Sequence, residues 1–427
     1  MGGEPSPLCI VDGLFPGEVA WVELGRRRRG ERRGRILSVD QHKRLSPACP
    51  HVASCGGCRT QQWLYRDELA WKQERIETLF PKDADNIHPI VAAPTRFGYR
   101  NKMEWSFAQD RAGQQFLGLY GRYARGVISI QACALVHPWM SQGLAATRAW
   151  WSKVGLPAFH PHRATGLLRT VTMREGFRTG ERMAILLVDG GERESLTPHL
   201  AGWVEAMRPL CKHLLLRTQM TCRGVPTWFQ QELLMGEEQL QEELHVLEQP
   251  LRVAISAPAF FQPNTFAAER IYRRVIQELD PRFPVLDLFA GTGIMGLLAA
   301  QAGMEVTAVE LVPEACRDAE ANAQRNGLSD RYRMICGDAT QCVQQHDLRG
   351  AQVILDPPRA GCGGMLCEWL VQQKPPRILY LACNPLSQQK DVAWLKGGGY
   401  QVESIHPFDQ FPNTPHIENL VVLRADG

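Results

Sequence analysis

From about residue 265 the chain alternates short apolar runs with helix-length stretches, and this rhythm restricts its C-terminal part to an open α/β sheet. The apolar runs fall at 284–289, 305–310, 331–336, 351–355, 377–382, 400–406 and 417–424. A Pro-rich connection joins the last two, which predicts antiparallel pairing at one edge. Open sheets of this kind bind ligands beyond the carboxyl ends of their strands, so the residues there are the functional candidates.

The first run, Pro284–Phe289, turns through Ala290-Gly291-Thr292-Gly293-Ile294-Met295-Gly296 into a helix reaching about Ala302. Glycine in such a turn lets the backbone approach a ligand closely. Gly291, Gly293 and Gly296 satisfy G-x-G-x-x-G, and Glu310 ends the next strand 23 residues after Asp287, where a carboxylate can accept both hydroxyls of a ribose. These features suit a nicotinamide dinucleotide and S-adenosylmethionine equally. Two later strand ends differ from a dehydrogenase: Ile335-Cys336-Gly337-Asp338-Ala339 closes the third strand and Leu355-Asp356-Pro357-Pro358-Arg359 the fourth. An acidic residue followed by a carboxylate-Pro-Pro turn resembles the class I, Rossmann-like methyltransferases. The resemblance implies Glu310 on the ribose, Asp338 near the adenine, and Asp287 as a structural or methionine-side contact; for Asp338 alone, a turn carboxylate is the minority alternative.

Arg377–Ala382 is an apolar strand that delivers Cys383 to its carboxyl end, where Asn384-Pro385 stops it. A cysteine is usually a small buried hydrophobe, but this one stands where the fold puts its ligands. A thiolate there could add to carbon 6 of a uracil and make carbon 5 nucleophilic, splitting one hard step into easier ones. The adduct must then lose its carbon 5 proton to a base. Phe408–Glu418 offers Asp409, His416 and Glu418; out of context, Glu418 reads as a surface carboxylate.

Phe260-Phe261-Gln262-Pro263-Asn264, the glycine loop, Asp356–Gly361, Cys383-Asn384-Pro385 and the segment from Asp409 to Glu418 follow one another over some 160 residues. In order and spacing they resemble the RNA uracil-5-methyltransferase family. That resemblance implies Cys383 as nucleophile and Glu418 as base, with Gln262, Phe289, Glu310, Asp338 and Asp356 lining the S-adenosylmethionine and uracil sites. The chain departs from the family pattern at Ala382, often serine, at Leu386–Lys390, where a threonine and an Ala-Arg pair are usual, and at Ile294, often asparagine. None of these changes removes a group the chemistry requires.

The length of 427 residues suggests about three domains. Residues 8 to about 45 alternate apolar and polar positions around a Gly/Arg-rich turn, which predicts a small β-barrel of the OB or TRAM type over residues 1–45. Residues 46–258 predict a β-rich central domain with one helical segment at about 140–153, and residues 259–427 the methyltransferase domain. A helix is expected over 65–80, with apolar residues at Leu69, Ile76, Leu79 and Phe80 and a break in the pattern at Lys72.

Cys49, Cys55 and Cys58 fall within ten residues, and clustering in a large chain with cytosolic features favours metal over disulfides. Three thiolates leave a tetrahedral site one ligand short; zinc, with His51 as fourth ligand, and an iron-sulfur cluster both satisfy the spacing. The cluster-bearing branch of the family carries a distant fourth cysteine, matched by Cys133 in Ile130–Leu135. The resemblance therefore implies a 4Fe-4S cluster on Cys49, Cys55, Cys58 and Cys133, with no reason in the sequence to couple it to Cys383.

The net charge of +3 does not by itself argue for nucleic acid, but seven arginines stand between Arg26 and Arg35. Read alone they form a solvated loop; with the family resemblance they are expected to contact RNA. A uridine must be unstacked to react, so a loop target is expected. Cluster-bearing bacterial relatives mostly modify 23S rRNA, which makes it the expected substrate, with a tRNA loop uridine as the alternative. A non-catalytic RNA-binding iron-sulfur protein is a second class, disfavoured because thiol and base are both present. No run of about 18 apolar residues suggests a membrane span. The opening Met1–Ser6 fits the loose myristoylation pattern, but nothing else points to a membrane, and a cytoplasmic, monomeric enzyme is expected.

Overall fold

The computed structural model describes residues 9–11, 14, 18–27, 32–39, 44–122, 126–222, 224–345 and 350–426. The C-terminal sheet has seven strands in the order Tyr332–Cys336, Val306–Glu310, Val285–Leu288, Gln352–Leu355, Arg377–Ala382, Glu418–Ala425, Tyr400–Phe408. All seven strands anticipated from the sequence are present. The first five are mutually parallel. Glu418–Ala425 then inserts antiparallel between Arg377–Ala382 and Tyr400–Phe408. This insertion brings the start of the last strand to the edge where the parallel strands end.

Strand alternation gives the sheet two apolar faces. Val285, Val306, Ala308, Ile354, Leu379 and Leu420 pack with helices Thr265–Glu278, Ile294–Gln301 and Pro313–Arg325. Leu286, Leu288, Val353, Leu355, Ile378 and Val421 pack with helices Gly364–Gln373 and Pro385–Gly397. That second face is completed by helix Tyr65–Leu79, whose Ile76, together with Phe80, is buried in the same cluster. Pro81 ends the helix as expected, and Lys72, the break in its apolar pattern, is fully buried.

The central sheet runs Val225–Met235, His213–Cys222, Arg182–Asp189, Leu168–Glu175, Lys102–Gln109, Gln115–Tyr120, Val127–Ser129. One helix, Pro138–Val154, lies where the sequence predicts it. A second, Thr197–Met207, was not anticipated. It is needed because Arg182–Asp189 and His213–Cys222 pair in parallel, and parallel neighbours require a crossover. Its signal was the spacing of Leu200, Trp203, Val204 and Met207, with Trp203 and Met207 fully buried.

The hairpin Gln239–Leu244 with Leu251–Ser256 contributes Leu240, Leu251, Val253 and Ile255 to the core containing Val275 and Leu297. Asn322 bolts it down, accepting from Ala254 N at 2.8 Å and donating to Ala254 O at 3.1 Å.

At the N-terminus three strands are described, Cys9–Val11, Ala20–Leu24 and Arg32–Val39, with the last in the middle. Arg35 pairs with Glu23 at 2.9 Å, and Trp21 is exposed. Arg28 and Arg29 of the arginine run, and the Met1–Ser6 pattern, lie outside the described residues. Among the described residues no helix is long and apolar enough to cross a membrane.

Candidate active site at the carboxyl ends of the strands

Pairing register decides which groups meet. Ala382 pairs with Asn419 in an antiparallel ladder, so the next residues outward, Cys383 and Glu418, stand across from one another. Glu418 is 3% exposed, whereas Cys383 is only partly buried at the edge. Leu288 pairs with Leu355, and Leu355 with Tyr380, which puts Asp356 on the same edge between the glycine loop and the thiol.

Burial governs the electrostatics of this edge, and neighbouring carboxyls add to it. Burial pushes Glu418 well above the usual carboxylate range; Asp356 adds to the rise and Arg359 opposes it. Burial lifts Asp356 to about 7. The Cys383 thiol is raised by burial and by the charges of Glu418 and Asp356, while Arg359 lowers it through charge and a hydrogen bond. Arg359 is thus the cation that favours ionised forms of both Cys383 and Glu418. The Asp-Pro-Pro-Arg motif alone gives no task to this arginine.

Of the other two base candidates, Asp409 is engaged elsewhere. Its Oδ1 accepts from Lys72 Nζ at 2.7 Å and its Oδ2 from the Tyr65 hydroxyl at 2.8 Å. His416 is pushed down to about 4 by burial and by Arg359, Lys72, Arg59 and Arg100, so its imidazole is uncharged at neutral pH. Its ring lies edge-on to Phe411 at 6.1 Å.

Asp287, Phe289, Glu310 and Asp338 gather at the other half of the edge. Glu310 accepts from Gly291 N and from Val312 N, each at 2.8 Å, which fixes its carboxylate across the mouth of the glycine loop. Phe289, at φ 61°, and Gly291, at φ 57°, both take the left-handed conformation that swings the chain out of the strand. A Cβ at Gly291 would meet nothing within 4 Å, whereas one at Gly293 would stand 2.3 Å from the Tyr332 hydroxyl oxygen. The loop is therefore open above Gly291 and packed solid beneath Gly293.

Asp287 is fully buried; its Oδ2 accepts from Gly296 N at 2.9 Å, while its Oδ1 has no partner. Burial raises it to about 7, with Asp356 and Glu310 adding to the rise. Asp338 accepts from Gln341 N at 3.1 Å at the start of helix Ala339–Gln345, close to the strand end shared by Glu310 and Cys336. An open cradle, a pinned ribose-type carboxylate and an orphaned carboxylate oxygen fit a nucleoside carrying an amino acid moiety.

Gln262 is buried, and Gln410 donates to its Oε1 at 3.4 Å. Asn101 donates to its carbonyl at 2.8 Å, and Asn264 caps the following helix. Gln262 therefore touches the loop that leads into Glu418. Sequence reasoning missed Tyr65, Glu68, Lys72, Arg96 and Asn413, whose side chains or backbone meet around that loop; the one visible signal was a lysine interrupting an apolar helix stripe.

Cys49, Cys55, Cys58 and Cys133 lie near one another. Cys58 is pushed up to about 12 by burial and by Cys133, Cys55 and Cys49, and Cys133 to about 11, again with Cys49 and Cys55 acting on it. Cys49, Cys55 and Cys58 are buried, and all four thiols are free. Among the described residues no group of three or more His, Cys, Asp or Glu is disposed to hold a metal ion. The loop is not independent of the sheet edge, because Arg59 N and Thr60 N, just past Cys58, donate to Asn413 O at 2.9 and 3.2 Å.

A family model described as tRNA (Uracil-5-)-methyltransferase matches residues 202–426. An uncharacterized RNA methyltransferase of Protochlamydia amoebophila is 35% identical over 411 residues, covering 91% of this chain and 92% of its own. Another, from Chlamydia trachomatis, is 32% identical over 389 residues, covering 88% and 97%. Among solved structures the chain is similar to the Pyrococcus abyssi tRNA (uracil-54, C5)-methyltransferase in complex with S-adenosyl-L-homocysteine, with TM-score 0.74, 22% identity, and coverage of 98% and 96%. That likeness is one of fold, and it spans nearly the whole chain.

Proposed function

The chain belongs to the tRNA (uracil-5-)-methyltransferase family, and from that membership we propose that it methylates carbon 5 of a specific uridine in RNA through a transient bond to Cys383. It is an S-adenosylmethionine-dependent RNA methyltransferase. The observation that carries the covalent reading is the Ala382–Asn419 register, which sets a partly accessible thiol across from a buried carboxylate.

S-adenosylmethionine supplies an electrophilic methyl group, and Glu310, Phe289, Asp338 and Asp287 would hold it in the cradle above Gly291. Cys383, having released its proton to solvent, bonds to carbon 6 of the uracil, and the ring's electron pair makes carbon 5 nucleophilic. Transfer of the methyl group to carbon 5 would break its bond to the sulfonium and leave S-adenosylhomocysteine, after which the Glu418 carboxylate takes the remaining carbon 5 proton. The C–H pair forms the 5,6 double bond, and the C6–S bond breaks to return a thiolate on Cys383. Arg359 stabilises the thiolate, and Gln262 and Asp356 line the S-adenosylmethionine and uracil sites.

RNA carrying 5-fluorouridine tests this scheme, because fluorine cannot leave as a proton. With methyl donor the wild type should form a stable protein–RNA adduct, and Cys383→Ala should form none; an adduct that persists in the variant moves the nucleophile elsewhere.

The expected substrate is 23S rRNA, because the cysteine spacing resembles the cluster-bearing branch of the family. The name of the matched family favours a tRNA loop uridine as the second reading. Mapping 5-methyluridine in ribosomal and transfer RNA with and without this gene separates the two. In this scheme residues 1–45, with the arginine run, bind RNA, residues 46–258 form the iron-sulfur-binding central domain, residues 259–427 carry out the transfer, and the enzyme works as a cytoplasmic monomer.

The thiols of Cys49, Cys55, Cys58 and Cys133 are assigned to a 4Fe-4S cluster. The support for this reading is the cysteine spacing and the distant Cys133, which resemble the cluster-bearing branch of the family, with the four thiols within electrostatic reach of one another. Anaerobically purified protein should carry about four iron and four sulfide per chain; stoichiometric zinc without sulfide defeats the assignment.

A further inference from the structure

The loop 409–417, which delivers Glu418 to the sheet edge, is gripped by the first quarter of the chain. Lys72 Nζ donates to Asp409 Oδ1 at 2.7 Å, to Glu68 Oε1 at 3.0 Å and to Phe411 O at 3.3 Å. Tyr65 holds the other oxygen of Asp409, and Tyr99 donates to Pro412 O at 3.0 Å. Asn413, held at φ 68°, donates from its backbone N to Glu68 Oε1 at 2.8 Å. Its side-chain oxygen accepts from Arg96 at 2.8 Å.

Lys72, Glu68 and Asp409 are all essentially unexposed, and Lys72 is the one buried lysine among the described residues. Burying an ion pair is costly, and an apolar set of the same volume commonly stabilises a fold as well or better. What the ammonium adds is geometric: three fixed acceptors, two of them on the loop. Phe408 is the cross-strand partner of Glu418, and Asp409 follows it directly. The point where Lys72 grips the chain is therefore one residue from the rung that carries the carboxylate.

We propose that Lys72 is a positioning residue for Glu418, holding loop 409–417 so that the carboxylate reaches the carbon 5 proton. The inference rests on Glu418 acting as the base. Adduct formation at Cys383 precedes that proton's removal, so a displaced Glu418 should leave the first step intact and stall the second. A mislocation of about 1 Å can cost on the order of 100-fold in rate.

The test is Lys72→Met in the full chain with unfluorinated substrate RNA and S-adenosylmethionine. The expected result is kcat lowered at least about tenfold, unchanged binding of S-adenosylhomocysteine, and a protein–RNA adduct through Cys383 that survives denaturing gels and is absent in wild type. A purely structural role would lower activity without accumulating adduct, and that result, or wild-type kcat, overturns the proposal. Tyr65→Phe removes one hydrogen bond to Asp409 and keeps the ion pair; it should show a weaker version of the same adduct, and it decides the matter if Lys72→Met does not fold. Failure of the wild type to trap 5-fluorouridine RNA, which involves no variant, strikes the covalent reading itself and this proposal with it.

Discussion

Substituting alanine at Gly293 and at Gly291 should separate the structural from the ligand-binding duty of the glycine loop. Both residues sit in the left-handed region, at φ 76° and φ 57°, where an L side chain costs roughly 1–2 kcal/mol. At Gly293 the added methyl would also lie 2.3 Å from the Tyr332 hydroxyl oxygen and 2.9 Å from Ala319 Cβ. Tyr332 and Ala319 are buried in the same core, so they cannot yield freely, and overpacking of this kind costs about 1–3 kcal/mol more. Gly293→Ala should therefore lose about 2–5 kcal/mol in all. For a unit of this size that corresponds to a drop in thermal midpoint on the order of 5–20 °C. Gly291→Ala carries only the backbone penalty, since nothing stands within 4 Å of its Cβ, and should lose about 1–2 kcal/mol. Its larger effect should be on the cofactor: titration calorimetry with S-adenosylhomocysteine should show affinity reduced at least about tenfold, close to 1.4 kcal/mol. If Gly291→Ala binds the nucleoside as wild type does, the open space above Gly291 is not where it lies. A Gly293→Ala protein as stable as Gly291→Ala would refute the packing argument.

Because Cys383 and Glu418 are both raised and both act deprotonated, adduct formation on 5-fluorouridine RNA and steady-state turnover should each rise with pH through neutrality. A rate that falls between pH 6 and about 8 would contradict those assignments. Asn322→Ala strips both hydrogen bonds from the buried backbone of Ala254 and should destabilise the chain by about 2–4 kcal/mol in denaturant melts; a loss below about 0.5 kcal/mol would show that the hairpin 239–256 does not depend on this anchor. Asp287→Asn should keep a side-chain oxygen for Gly296 N and remove a carboxyl held near 7 by burial. A carboxyl whose folded pKa exceeds its unfolded one makes the wild type progressively less stable as pH rises from about 4 to 7, so the variant's stability should be flatter over that window.

Local patterns in the chain were enough for the seven C-terminal strands, the turn at Gly291–Gly296 and the placing of Glu310, Asp338, Asp356 and Cys383 at strand ends, because periodicity and punctuation are properties of neighbouring residues. Helix 65–79 was legible for the same reason, but not the fate of Lys72 within it. Its Asp409 partner lies 337 residues away, and no local rule turns a polar interruption into a buried ion pair. The same limit hid helix Thr197–Met207, whose necessity follows from a parallel pairing that is long-range by nature. Which of Asp409, His416 and Glu418 faces Cys383 was also undecided by spacing alone. Antiparallel insertion of the last strand sets the register, spends Asp409 on Lys72, and ties Asn413 to the backbone just beyond Cys58. Sequence determined which groups reach the edge of the sheet; tertiary pairing decided which of them meet, because register and burial are set by contacts between segments that the chain itself holds far apart.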